Sequence, residues 1–454
     1  MKKTSLFPPF LVSAVLFLFF SAAACVKSAE PVEDQSDPKI VDAVSQVSAD
    51  SIRTSIESLV AFHTRHTLSS QTDPDKGIGA AVAYVVRRCE EWARAAEGVR
   101  PAPTVEVLHF PAGEKGGRYD RVLTVPEVLV TIPGTKGERE ILLSAHLDTR
   151  VADVMDSTAF APGANDDASG VSCLLEVVRI LSGIPLEQTV KCMFVSGEEQ
   201  GLDGSRFLAA KARSEGWPVI AMINNDMIGN TLASETDWIE DRKVRVFSES
   251  RTGVDSDPRQ LARYVKETAR TFVPDQEVKL IYRNDRYRRS GDHTPFLQEG
   301  FTAVRMSEYN ENYDRTHQDV RTEGDFAYGD VVEGVDIPYL TRNTQINLAT
   351  VMNLAQAPAR PAKARIANAG ELENHTSIVW EPVRKEDGSI DTDLSYEILF
   401  RETDLPEWQV LDTVTPDPSL LMPVYRCPLS KDNYFFAVRS VSAAGNPSLP
   451  VLAL

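Results

Sequence analysis

The chain has 454 residues, 42% hydrophobic and 25% charged, enough for one large domain and a smaller one, each with its own core. That composition excludes a disordered or collagen-like chain. Lys and Arg total 48 against 66 Asp and Glu, a net charge of −18, which speaks against nucleic acid as a partner.

Lys2 and Lys3 precede an apolar run from Leu11 to Phe20 that ends in Ser21-Ala22-Ala23-Ala24-Cys25. A basic start, a short apolar core and small residues predict a secretory leader over 1–25. The run is shorter than the ~20 apolar residues of a membrane-spanning helix. Ala23-Ala24-Cys25 resembles the end of a bacterial lipoprotein signal, although Ala22 stands where Leu is usual. The expectation is therefore a bacterial, exported protein, periplasmic, extracellular or held at the outer membrane by a lipid on Cys25. Ordinary cleavage beside Cys25 is the alternative. Cys89, Cys173, Cys192 and Cys427 are too scattered for a disulfide framework or a zinc knuckle, and Cys173 and Cys192 read as small core residues.

Beyond a polar spacer, apolar spacing predicts helices from Ser51 to Phe62 and from Gly79 to Ala96. Short apolar runs predict strands at Thr104 to Phe110, Val128 to Ile132, Ile141 to Ala145, Val190 to Val195, Val219 to Asn224 and Thr302 to Met306. Amphipathic helices fall at Ala168 to Leu181, Ser205 to Arg213, Arg259 to Phe272 and Pro338 to Leu354. Ile141-Leu142-Leu143 is apolar at consecutive positions, as in a sheet covered on both faces, so the class is α/β. The texture changes at Ala357-Pro358-Ala359-Arg360-Pro361. From there to Leu454 the chain reads as short strands and turns, dividing it into 40–356 and an all-β sandwich over 361–454. Ser377 to Trp380, Tyr396 to Arg401 and Tyr434 to Val441 resemble strands of a fibronectin type III module, with Tyr434 fitting a tyrosine corner.

Metal-ligand residue types follow the apolar runs directly. They are Ser144-Ala145-His146-Leu147-Asp148, Gly163-Ala164-Asn165-Asp166-Asp167, Ser196-Gly197-Glu198-Glu199 and Asn224-Asn225-Asp226. A fifth stretch, Asn310 to Asp319, holds His317. Loops at the carboxyl ends of strands in an open α/β sheet converge on one crevice, so these groups can meet. Taken singly, each has an ordinary explanation: Asp166 and Asp167 as caps of the following helix, Glu198-Glu199 as a solvated turn, each His as a surface or core residue.

In order and with their neighbours, the five motifs resemble those of the M28 family of zinc aminopeptidases, over about Ser51 to Leu354. The resemblance implies a mixed, mostly parallel sheet with helices on both faces, and hydrolysis of peptide bonds at the N-terminus of peptides. It implies two zinc ions bridged by Asp166, with His146 and Asp226 completing one site and Glu199 and His317 the other. It also suggests a cis peptide at Asp166-Asp167. Asp148 lies two residues after His146 on the same strand face, so its carboxylate is expected to accept the second imidazole N–H. Glu198 precedes a ligand and diverges from it, which leaves it as the general base.

Ser290 to Phe296 resembles a motif that lines the site, suggesting His293 in the substrate pocket, or else Asp292 capping a helix with His293 packed beside it. Many relatives carry a tyrosine just before the last ligand; Thr316 stands there, leaving Tyr313 as the nearest candidate oxyanion donor. Arg283, Arg286, Arg288 and Arg289 crowd one loop, either to hold a peptide carboxylate or as a solvated, ion-paired face. A carboxypeptidase preference stays open. Other readings are a single-zinc glutaminyl cyclase and a non-catalytic receptor-like ectodomain. No partner of the C-terminal module is legible.

Overall fold

The computed structural model describes residues 36–454 apart from 97, 99–100, 114–116, 237 and 251–254. The leader and Cys25 lie outside the described residues. Eight strands form the main sheet: β1 (Thr104–Ala112), β2 (Leu123–Ile132), β3 (Glu140–His146), β4 (Thr189–Val195), β5 (Val219–Asn225), β6 (Lys243–Phe247), β7 (Glu277–Ile281) and β8 (Ala303–Glu308). Their order is β1-β2-β4-β3-β5-β8-β6-β7. The pairs β4/β3, β3/β5, β5/β8 and β6/β7 are parallel and the other three antiparallel, giving the mixed, mostly parallel sheet expected.

Consecutive apolar residues in the central strands divide between two helical layers, because neighbouring side chains on a strand point to opposite faces. Ile141, Leu143 and Ala145 enter one core with α1 (Pro38–Ser45), α2 (Ala49–Val60), α3 (Ile78–Ala95) and α4 (Ala168–Leu181). Leu142 enters the other, against Leu208, Ala209 and Ala212, and against Phe296 and Leu297. Those residues belong to α6 (Asp203–Glu215) and α8 (His293–Gln298), with the single turn α5 (Glu198–Gly201) between β4 and α6. The first layer is completed by α7 (Asp257–Phe272) and α9 (Ile337–Gln356).

Local signals set the helix starts. Asp37, Ser256 and Asp336 each accept a first-turn backbone N–H, with proline just inside the helix, which is where its missing N–H costs nothing. The first of these helices falls partly in what reads as a polar spacer. The four described cysteines are buried and free. No helix among the described residues is long and apolar enough to cross a membrane.

After a small hairpin of β9 (Arg321–Glu323) and β10 (Phe326–Tyr328), the C-terminal part forms two sheets. One contains β11 (Ala364–Ile366), β12 (Thr376–Trp380) and β15 (Val424–Cys427). The other has the order β14 (Gln409–Val414), β13 (Ser395–Glu402), β16 (Tyr434–Val441) and β17 (Val451–Ala453). Ile378, Trp380, Tyr396, Ile398, Phe436 and Val438 form their shared core. The hydroxyl that binds backbone here is that of Tyr396, which accepts the Val383 N–H at 2.8 Å. Tyr434, expected in that role, packs its ring against Phe400 and Phe436 instead.

One face of α7 carries these sheets. Gln260, Arg263, Tyr264 and Glu267 recur at helical spacing. Gln260 accepts from Trp408 Nε1 at 2.7 Å, Tyr264 donates to the Pro447 carbonyl at 2.9 Å, and Glu267 takes Arg439 at 2.7 and 2.8 Å. Asp255 sits between Arg263, at 3.0 Å, and Arg401, at 2.8 Å. Burial would raise the Asp255 pKa, but the two guanidinium groups outweigh it and lower it.

A group whose folded pKa is depressed stabilises above its unfolded value, about 4 for Asp, and loses that contribution as pH falls through the folded value. Asp255→Ala strands two guanidinium groups and is expected to cost about 3 kcal/mol at pH 7, read from urea unfolding. The gap between variant and wild type should shrink below about pH 4; an equal gap at pH 7 and pH 3 would contradict this account.

Candidate metal centre

Parallel strands end side by side, so residues just past them share a crevice. His146 closes β3, Glu198 and Glu199 follow β4, and Asp226 follows β5, with β3 paired to both neighbours. The turn before α4 supplies Asp166, and the loop after β8 supplies His317 at φ 57°. All five residues proposed as ligands therefore meet, together with Glu198, around one cavity of about 460 Å³.

Asp166 presents its two oxygens to two imidazoles. Oδ1 lies 3.0 Å from His146 Nε2, and Oδ2 lies 3.0 Å from His317 Nε2. Glu199 Oε1 is 2.8 Å from His317 Nε2, and Asp226 Oδ1 is 4.0 Å from His146 Nε2. Two triads result, His146–Asp166–Asp226 and Asp166–Glu199–His317, with the donor atoms of each within 4.8 Å of one another. Imidazole nitrogen and carboxylate oxygen are zinc donors.

The electrostatics favour a cation between them. Burial, with the charges of Glu199, Asp226 and Asp292, holds Glu198 well above the usual carboxylate range against the pull of His146. Burial raises Asp226 although Arg305 pulls it down. Burial alone would lower His146, but Asp166, Asp167 and Glu198 raise it well above its ordinary value. These groups crowd like charges into one crevice, where a divalent cation can take the place of protons. The donor set fits zinc.

Adjacent aspartates have separate tasks. Asp167 caps α4, its Oδ1 accepting the Gly170 N–H at 3.0 Å, while Oδ2 accepts the His146 N–H at 3.1 Å. That leaves Asp166 to face the imidazoles, and the peptide between the two is cis. Asp330 accepts the backbone N–H of Asn165 at 2.8 Å and of Asp166 at 2.7 Å. Arg65, wholly buried, donates to the carbonyls of Leu147, Pro162 and Gly163. Gly163 turns this loop at φ 52°, where a Cβ would meet Thr149 Cγ2 at 2.2 Å.

Asp148 departs from expectation. His146 Nδ1 donates to the Asp148 carbonyl at 3.0 Å, while the carboxylate Oδ1 stands 3.7 Å off. The carboxylate instead accepts the N–H groups of Glu198 at 3.2 Å and Glu199 at 3.0 Å, and the Thr67 hydroxyl at 3.0 Å. Two strand ends compete for one carboxylate, and the α5 N-terminus, with its free N–H groups, takes it. Asp148 thus fixes both glutamates.

Two arginines that pair with the proposed ligands escape the sequence reading. Arg305, fully buried on β8, pairs with Asp226 and Asp285 at 2.9 Å each. A charged residue amid the apolar β8 run was the available signal. Arg150 donates to Glu199 Oε2 at 3.0 Å and lies 2.6 Å from His317 Nδ1. Burial would lower the His317 pKa, but Glu199 and Asp166 outweigh it and raise it to about 10.

His293 does not line the cavity. Its ring is buried, with Nε2 2.9 Å from the Asn284 carbonyl, and burial lowers its pKa. Asp292, the helix cap of the alternative reading, makes no side-chain cap bond to α8. Tyr313 is 55% exposed and lines an adjoining cavity, not the one around the two triads. The Thr316 hydroxyl is buried and donates to the Asn312 carbonyl at 3.1 Å.

Residues 127–326 match the model of peptidase family M28. The chain is 35% identical over 430 residues to a probable zinc metalloprotease of Leptosphaeria maculans, covering 90% of this chain and 95% of that protein. It is 36% identical to another from Pyricularia oryzae, covering 91% and 84%. These relatives are fungal, so the bacterial origin expected from the leader is not what the sequence comparisons support. Among solved structures, the LapA aminopeptidase of Legionella pneumophila matches with a TM-score of 0.55 at 18% identity, over 74% of this chain and 79% of that one. A Zn-dependent exopeptidase from Parabacteroides distasonis matches at 0.50 and 18%, over 68% and 98%. At those identities the likeness is one of fold. Identity above 30% across nine-tenths of the chain decides the family: this protein belongs to peptidase family M28 and is a zinc metallopeptidase.

Proposed function

We propose that the protein is an exported exopeptidase that hydrolyses peptide bonds at the N-terminus of peptides, using two zinc ions. The observation that carries this reading is the shared Asp166 carboxylate, one oxygen 3.0 Å from each imidazole; a residue serving a single ion needs only one such contact. His146, Asp166 and Asp226 would hold one ion, and Asp166, Glu199 and His317 the other. Ions held there would polarise the scissile carbonyl and make water a nucleophile at neutral pH.

Glu198 lines the cavity beside the ligands. Its raised proton affinity suits it to take a proton from the attacking water and return it to the departing amine. Asp148 holds the backbone of both glutamates and so keeps the base and a ligand in register. A single-zinc cyclase would use one triad and a receptor-like ectodomain neither, so the presence of both favours the hydrolase. Export rests on the leader ending at Cys25. The C-terminal sheets, three strands over four, are read as a fibronectin type III-like accessory.

Zinc analysis of purified protein should give two ions per chain, and Asp166→Asn should weaken both sites; one ion per chain in the wild type would contradict the bridge. Zinc uptake should release protons. His146 has a raised pKa, so its Nε2 proton is held below that pKa and lost above it. Zinc affinity therefore rises with pH, by about tenfold per unit for each proton displaced, which calorimetry in buffers of different ionisation enthalpy measures. Glu198→Gln should keep its zinc and lose about 10²- to 10⁴-fold in kcat on a panel of aminoacyl amides. Undiminished turnover would remove Glu198 from the mechanism.

A further inference from the structure

The chain has a net charge of −18, yet its metal-centre cavity is ringed by Arg118, Arg150, Arg206, Arg286, Arg288 and Arg289. The carboxylates lining that cavity are Asp166, Glu199 and Asp226, proposed as ligands, and Glu198, proposed as the base. No other carboxylate is present among the described lining residues to pair with a substrate ammonium group.

The positive charge is built in. Glu311, with a side chain 1% exposed, receives three guanidinium groups: Arg245 and Arg286 at 3.0 Å, and Arg289. Asp285, equally buried, is shared by Arg286 at 3.0 Å and Arg305 at 2.9 Å. Even with Asp226 also on Arg305, three carboxylates face four guanidinium groups, so this wall keeps a surplus. Arg118 donates to the Glu199 carbonyl at 2.6 Å and Arg288 is exposed; neither forms an ion pair among the described residues. Arg286 and Arg289 also line the adjoining cavity of about 650 Å³, so the basic wall continues beyond the centre.

Guanidinium forks match carboxylates two hydrogen bonds at a time, and a cleft of one sign concentrates the oppositely charged ligand. An N-terminal ammonium arriving alone meets like charge. We propose that this cavity selects peptides carrying a carboxylate on the residue next to the scissile bond, with Arg118 and Arg288 as its recognition groups. The proposal rests on the exopeptidase reading. An acidic side chain and a free C-terminal carboxylate present the same group to the same forks.

Two substrate sets separate these sources, using the zinc-loaded full chain. One compares glutamyl- and aspartyl-p-nitroanilide with the leucyl and lysyl compounds. The other compares dipeptides bearing a free N-terminus and a free C-terminal carboxylate with their amides. In one set kcat/KM should favour the carboxylate by at least about tenfold, with the preference narrowing in 0.5 M salt because charge is screened. Arg288→Gln and Arg118→Gln, checked for unchanged melting temperature, should each reduce the acidic-to-neutral ratio about tenfold, through KM. Neutral substrates cleaved as well as acidic ones in both sets would overturn the proposal and leave the exopeptidase reading standing. Cleavage of no peptide would overturn that reading instead. Titration with N-acetylglutamate then judges the cavity by itself: binding about tenfold weaker in Arg288→Gln supports carboxylate recognition, and no binding, or equal binding, refutes it.

Discussion

The centre depends on holding one carboxylate, that of Asp166, so that its oxygens face two imidazoles at once. A free aspartate side chain turns about two bonds and would satisfy one partner or the other. Here its backbone is fixed from three directions. Asp330 takes the N–H groups of Asn165 and Asp166, Arg65 takes the Pro162 and Gly163 carbonyls, and Asp167 anchors the start of α4. Burial makes this cradle costly to leave half-made, which is why it acts as one unit.

Around that point the charges are layered. Acidic groups and imidazoles form the innermost shell, where only cations relieve their crowding. Arginines form the next, Arg305 behind Asp226 and Arg150 behind Glu199. Arg150 and four other guanidinium groups reach outward from there to the cavity wall with Arg288. The acidic surplus of the whole chain is thus inverted locally, and the sign that an approaching substrate meets differs from the sign of the protein.

Much of this was legible in the sequence, and the exceptions share a cause. The central strands and the residues that end them could be read because consecutive apolar positions mark strands buried on both faces, and polar residues stop them abruptly. β6 and β7 escaped because Lys243, Arg245 and Lys279 interrupt their short apolar runs near one edge of the sheet. Asp330 and Arg65 escaped because their partners are backbone groups, in one case 164 residues away, and a backbone carbonyl leaves no mark on composition. Asp148 was found but given the wrong contact: strand alternation places its side chain, whereas the N–H groups of α5 decide what that side chain binds.

The α7 face has a consequence for how the C-terminal sheets belong to the molecule. A module tethered only by its linker can be shed without effect on what precedes it. Here Arg139 grips the Ala357 and Pro358 carbonyls at 2.8 Å each, and Gln260, Arg263, Tyr264 and Glu267 spend their polar groups on the sheets. The strand that follows α7 is β7, whose last residue, Ile281, lines the basic cavity next to the metal centre. The sandwich therefore leans on the helix that leads into that wall, and proteolytic trimming at the linker would bare the polar face of α7 as well as remove an appendage.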